Sequence, residues 1–87
     1  MQMNKQYTYR QTQDAFIDYI SAYYDQYRYM FKETSEKNLL KVITEMFFKY
    51  SDGNAKISYL YAFQKNIESE INKGYDLLKS IRLVFHK

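Results

Sequence analysis

The chain has 87 residues, with eleven Tyr, six Phe, two Gly and no Pro, Cys or Trp, and its 13 basic and 10 acidic residues leave a net charge of +3. That length is one small domain, 1–87, which buries only about 60% of its unfolded surface. With no cysteine for a disulfide or thiolate metal site, the aromatics have to build much of the core or of an interface. The composition excludes a collagen-like chain, a disulfide scaffold and a low-complexity disordered chain, and the scarcity of Gly and Pro argues against an all-β fold.

Residues 1–8 precede the first helical pattern and are expected to fray. Thr8-Tyr-Arg-Gln11 matches a capping box, in which the Thr oxygen and the Gln side chain satisfy free backbone N–H groups. Phe16, Ile20, Tyr23, Tyr27 and Met30 then recur at spacings of 4, 3, 4 and 3, with Ile17, Tyr24 and Phe31 beside them, so a helix is predicted over 9–32. Ser35 followed by Glu36 reads as an N-cap with an acid in the first turn. Leu39, Ile43, Met46 and Tyr50 carry the stripe of the second helix, predicted over 36–51, and Phe48 points away from it. Ser51-Asp-Gly-Asn54 stops that helix, with Gly53 in the left-handed closing role and Asn54 capping the next.

Ile57, Leu60, Phe63, Ile67 and Ile71 mark one side of a third helix over 55–72. Gly74 is the second stop signal, and Asp76 caps a short fourth helix over 76–85 with Leu77, Leu78, Ile81, Val84 and Phe85 on its buried face. The fold expected is all-α, a small antiparallel four-helix bundle, because three short connections favour antiparallel neighbours. Its core should hold Phe16, Ile20, Tyr23, Tyr27, Leu39, Ile43, Met46, Leu60, Ile67, Ile71, Leu78 and Ile81. The alternative is a three-helix bundle with a long C-terminal helix. The apolar series 60, 63, 67, 71, 74, 78, 81, 85 runs across the break, and a helix through Gly74 costs only ~1 kcal/mol in propensity.

Catalysis has little to stand on. The one histidine, His86, is next to last, and the two glycines lie too far apart for a phosphate-binding loop. No catalytic, cofactor-binding or metal residue is assigned, and a non-enzymatic protein without cofactors is expected. Asp14, Asp18 and Asp25 share one side of the first helix, either as a solvated edge or as a docking strip for a basic partner. Tyr23, Tyr24, Tyr27 and Tyr50 sit on apolar stripes and belong to the core. Tyr29, Phe48 and Tyr59 lie off the stripes and Tyr61 at an edge, which makes them candidates for partner binding unless a neighbouring helix covers them.

Residues 1–34 are charge-neutral, so the whole excess falls on 35–87, with nine basic and six acidic residues. Lys79 and Arg82 lie with His86 opposite the apolar face of the fourth helix. They suit the helix dipole, and equally an anionic membrane or a membrane-embedded partner. Tyr27 to Lys32 interleaves basic and aromatic residues as a single-strand stacking surface does, but on a helix only Arg28, Tyr29 and Lys32 point away from the core. The N-terminus lacks the apolar stretch of a secretory signal and nothing approaches the ~20 apolar residues of a spanning helix, so a cytoplasmic location is expected.

The segment Leu39-Leu-Lys-Val-Ile-Thr-Glu-Met-Phe-Phe48, followed after a turn by Ile57-Ser-Tyr-Leu-Tyr-Ala-Phe63, resembles the intracellular immunity proteins for pediocin-like bacteriocins. The resemblance covers about half the chain and implies a cationic, cysteine-poor, antiparallel four-helix bundle. It also implies a role, binding a sugar-transporter complex at the inner membrane face once a bacteriocin has engaged it. The chain is shorter than that family and lacks its extended C-terminal tail. Two other functions stay open on the residues alone: a nucleic-acid accessory protein of a plasmid or phage, and a self-assembling subunit whose exposed tyrosines pack on another copy.

Overall fold

The computed structural model describes residues 6–30, 32 and 34–86, apart from the side chains of Asp25, Tyr27, Arg28 and Met30. The readings placed on those four side chains, and on Phe31, lie outside the described residues. Four helices follow in order: α1 Tyr9–Met30, α2 Glu36–Tyr50, α3 Ile57–Asn72 and α4 Leu77–Phe85. Among the described residues there is no strand.

The starts of three helices are written in their caps. Thr8 and Gln11 form the reciprocal box, Thr8 N–H donating to Gln11 Oε1 at 3.0 Å and Gln11 N–H to Thr8 Oγ1 at 3.1 Å. Ser35 Oγ accepts from Asn38 N–H, and Asp76 Oδ1 accepts from Lys79 N–H at 2.8 Å. Residues 7 and 8 are therefore held, since Tyr7 N–H also donates to the Asn54 carbonyl at 3.0 Å; residues 1–5 of the stretch expected to fray lie outside the described residues.

The two stops share one geometry. After α3, Gly74 N–H donates to the Ile71 carbonyl and Tyr75 N–H to the Glu70 carbonyl, with Gly74 at φ +108°. That is a Schellman turn, and it excludes a continuous helix from 57 to 85. After α2, Asp52 N–H donates to Lys49 and Gly53 N–H to Phe48, but here the first left-handed residue is Asp52 at φ 58°, with Gly53 following at φ 78°. The closing role assigned to Gly53 thus belongs to Asp52, which tolerates this region better than most side chains do. The two-residue reversal also displaces the next start. Asn54 caps nothing with its side chain, Ala55 is buried, and α3 begins at Ile57 after Lys56, which makes no side-chain cap.

Ring contacts fix the helix directions. Phe16 lies 5.5 Å from Phe47 and Tyr19 5.3 Å from Tyr50, pairing the middle of α1 with the end of α2. Tyr9 meets Tyr59 and Phe63 at 5.1 Å, so α1 and α3 run parallel. Lys37 Nζ reaches Asn72 Oδ1 at 2.9 Å across α2 and α3, and Phe63 meets Phe85 edge-on at 5.1 Å across α3 and α4, so each of those pairs is antiparallel. α3 packs against all three other helices. The molecule measures 45 × 29 × 18 Å; its thinnest dimension is less than two helix diameters, so every helix keeps a solvent face.

Phe16, Ile20, Leu39, Ile43, Leu60, Ile67 and Ile81 are buried as predicted, and Ile71 and Leu78 pack half-buried on that core. Tyr23, Met46 and Tyr50 are not core. Tyr23 is 38% exposed and Met46 39%, while Tyr24 and Phe47 take the interior places. One buried row runs Thr12, Phe16, Ile20, Tyr24 on α1, with Tyr19 beside it, and another runs Leu39, Ile43, Phe47 on α2 and on to its C-cap Ser51, with Leu40 and Thr44 beside it. Both advance by four at every step. Such a row is inclined to the helix axis and meets a neighbour by ridges into grooves, whereas alternating three and four steps suits a near-parallel seam. Ile57, expected on the buried side of α3, stands 51% exposed in its first turn.

Phe63 is fully buried and touches rings from α1 and α4. Phe63→Ala is expected to cost about 3–5 kcal/mol, most of the stability of so small a domain, and urea unfolding followed by circular dichroism measures it. Thr12 is the opposite case. Its hydroxyl is buried with no hydrogen-bond partner among the described residues, whereas Thr44 and Ser80 each donate to a carbonyl four residues back. Thr12→Val removes an unsatisfied group and keeps the shape, so it should raise stability by about 1 kcal/mol, seen as a higher urea midpoint at unchanged slope.

Candidate functional site

α2 turns one side to α1 and another to α3. On the second side Lys41, Glu45 and Lys49 follow one another at spacings of four, with Thr44 and Phe48 beside them. Opposite, the first turns of α3 present Ile57, Leu60, Tyr61 and Gln64. Between the two helices runs a groove of about 520 Å³. Its floor is Leu60 and Thr44, both buried. The Thr44 hydroxyl donates to the Leu40 carbonyl at 2.8 Å, so the floor offers the groove no free donor hydrogen. Its walls are Phe48, Ile57 and Tyr61, the last 63% exposed. The rim is polar on the α2 side, through Lys41, Glu45 and Lys49, and neutral on the α3 side, where the Gln64 amide donates to Glu68 at 3.3 Å.

Of the residues singled out from the sequence, this groove brings together two, Phe48 and Tyr61. Tyr59 is only two positions from Tyr61 but faces elsewhere, because two helical residues differ by about 200°. Its ring lies edge-on to Tyr9 at 85°, with Lys56 Nζ 5.6 Å above it. Tyr29 is 80% exposed near the end of α1 and lines no part of the groove. Lys79 and Arg82 are exposed on α4, also away from it, and Lys79 Nζ stands 6.0 Å from the Tyr75 ring. Asp14 and Asp18 are exposed on α1; Arg10 Nε is 3.8 Å from Asp14.

A second, smaller hollow of about 420 Å³ lies where α1 meets the end of α4, between Gln13, Ile17, Val84 and His86. Its titratable members include that Arg10–Asp14 pair, both exposed, so little binding energy is concentrated there. Among the described residues no three metal-ligating side chains converge, and no helix is long and apolar enough to cross a membrane.

Sequence reading missed Ile57, Lys41 and Lys49. The lysines were legible as a ridge at i, i+4 and i+8, but a ridge of charges is the ordinary solvent face of a helix until an apolar trough is found beside it. Ile57 was missed because helical period alone assigns it to the core.

The division between floor and wall gives a direct measurement. Tyr61→Ala and the pair Lys79→Gln/Arg82→Gln should each leave stability within about 0.5 kcal/mol. Leu60→Ala, one residue from Tyr61, should cost about 2–5 kcal/mol. Urea midpoints of the three variants check this, and a large loss for Tyr61→Ala would make it a core residue instead of a groove wall.

No protein family, no curated protein and no solved structure matches the chain.

Proposed function

We propose that the chain is a non-enzymatic binding protein of the immunity type, a small bundle that occupies a protein partner at the inner face of a membrane. The observation that carries this reading is the α2–α3 groove, an apolar trough whose walls, half-buried Phe48 and exposed Ile57 and Tyr61, are bordered by lysines. Exposed aromatics beside a polar rim are the composition of a protein-binding surface. The charged groups of the groove are strung along one helix, and its one floor hydroxyl is engaged by backbone, which suits holding a partner better than turning over a substrate.

Two further features support the immunity-type form. The antiparallel four-helix order is the architecture that the resemblance of 39–48 and 57–63 implies, and those two segments contain most of the groove. Lys79 and Arg82, turned to solvent on α4, supply a basic face for anionic lipid, where each cation is worth about 1 kcal/mol.

The test is a challenge experiment. A strain sensitive to pediocin-like bacteriocins, producing this chain inside the cell, should survive at least one member of a panel of those peptides. Phe48→Ala/Tyr61→Ala should lose that protection while retaining its helical circular dichroism spectrum. Killing by every member of the panel, at normal levels of the folded protein, overturns the immunity-type form.

A further inference from the structure

We infer that the α2–α3 groove receives an acidic amphipathic helix of the protein partner, one that sets apolar residues between the walls of Phe48, Ile57 and Tyr61 and a pair of carboxylates against Lys41 and Lys49. This rests on the binding reading above and specifies its ligand. Lys41 and Lys49 are two turns apart on α2, about 12 Å at 1.5 Å per residue. Both are exposed, and the ion pairs among the described residues, Arg10–Asp14 and Lys73–Glu70, leave both without an acid. Two carboxylates on a helix lying along α2 match that distance when they too are two turns apart.

The shape points the same way. Ile57 and Tyr61 stand more than half exposed along the α3 wall, so an occupant has to be long enough to cover both and rigid enough to fill the trough between the helices. A helix laid in a groove does this with anchors at i, i+3 or i+4 and i+7. Charge separates this partner from a nucleic acid. Glu45 sits between the two lysines on the same ridge, where it repels a continuous phosphate backbone but accommodates an apolar or basic residue between two acids.

The experiment uses the full chain and a fluorescent helical peptide of about four turns, with leucines at helical period on one face and two glutamates two turns apart at its margin. A second peptide replaces the glutamates by lysines, and a labelled single-stranded oligonucleotide is the third probe. By anisotropy the acidic peptide should bind about tenfold tighter than the basic one, from two rim charge pairs turned from attraction to repulsion. That ratio should shrink in 1 M salt. Lys41→Glu/Lys49→Glu should reverse the order of the peptides, and Tyr61→Ala should weaken both.

Equal binding of both peptides, no binding of either, or preference for the oligonucleotide overturns the inference. Protection from bacteriocin without peptide binding would remove the acidic helix and keep the immunity-type role. Charge-selective peptide binding without protection would do the reverse.

Discussion

Four phenylalanines, one from each helix, meet in one cluster, and the bundle is organised around their contact. Phe16 of α1 touches Phe47, Phe63 and Phe85 at 5.5, 5.8 and 6.3 Å between ring centroids, and Phe63 touches Phe85 at 5.1 Å. Aromatic pairs at these distances add about 0.5–1.5 kcal/mol each beyond the area they bury. In a chain with no disulfide and little interior volume, that supplement matters more than it would in a large domain. The cluster also ties α3 to both α1 and α4 through Phe63, while Leu60 and Ile67, one turn to either side, extend the same buried line.

Five tyrosines form a roof over this cluster, while Tyr24 lies in the interior beside it. Tyr9 and Tyr59 cover the Phe63 end, and Tyr19, with Tyr23 and Tyr50 against it, covers Phe47. A layer two helices thick leaves the interior only one ring deep, so an amphipathic ring is the natural lid: its face lies on phenylalanine and its hydroxyl reaches water. The roof occupies the α1 side of α2. The α3 side has no such lid over Phe48, and this asymmetry is what leaves a groove there.

Local chemistry made the helices legible, and packing angle made the core less so. Thr8, Ser35, Asp76 and Gly74 each act through hydrogen bonds to residues within a few positions, and the sequence alone located all four. The choice between Tyr23 and Tyr24, or Met46 and Phe47, depends on how obliquely two helices cross. A wide apolar stripe does not encode that, because neighbouring residues on it are equally greasy. Thr12, Thr44, Ser51 and Ser80 were invisible for a related reason. They are polar by type but buried, and three of them donate to their own helix's carbonyls, a bond that no periodicity announces. The groove was half legible: Phe48 and Tyr61 stood out as misfit aromatics, but only the α2–α3 pairing sets them on facing walls and separates them from Tyr29 and Tyr59.

The turn at Gly74 has a consequence for topology. Apolar positions keep helical register straight through it, so nothing in the side-chain pattern of α3 and α4 requires the chain to reverse. The reversal is encoded by one left-handed backbone position, with open space around the site where a side chain would stand, together with the Asp76 cap that restarts the helix. Steric crowding does not defend the position; only the conformational freedom of glycine does. The identity of residue 74 therefore governs how readily α4 folds back on α3, since any residue with a side chain there carries the strain of the positive φ.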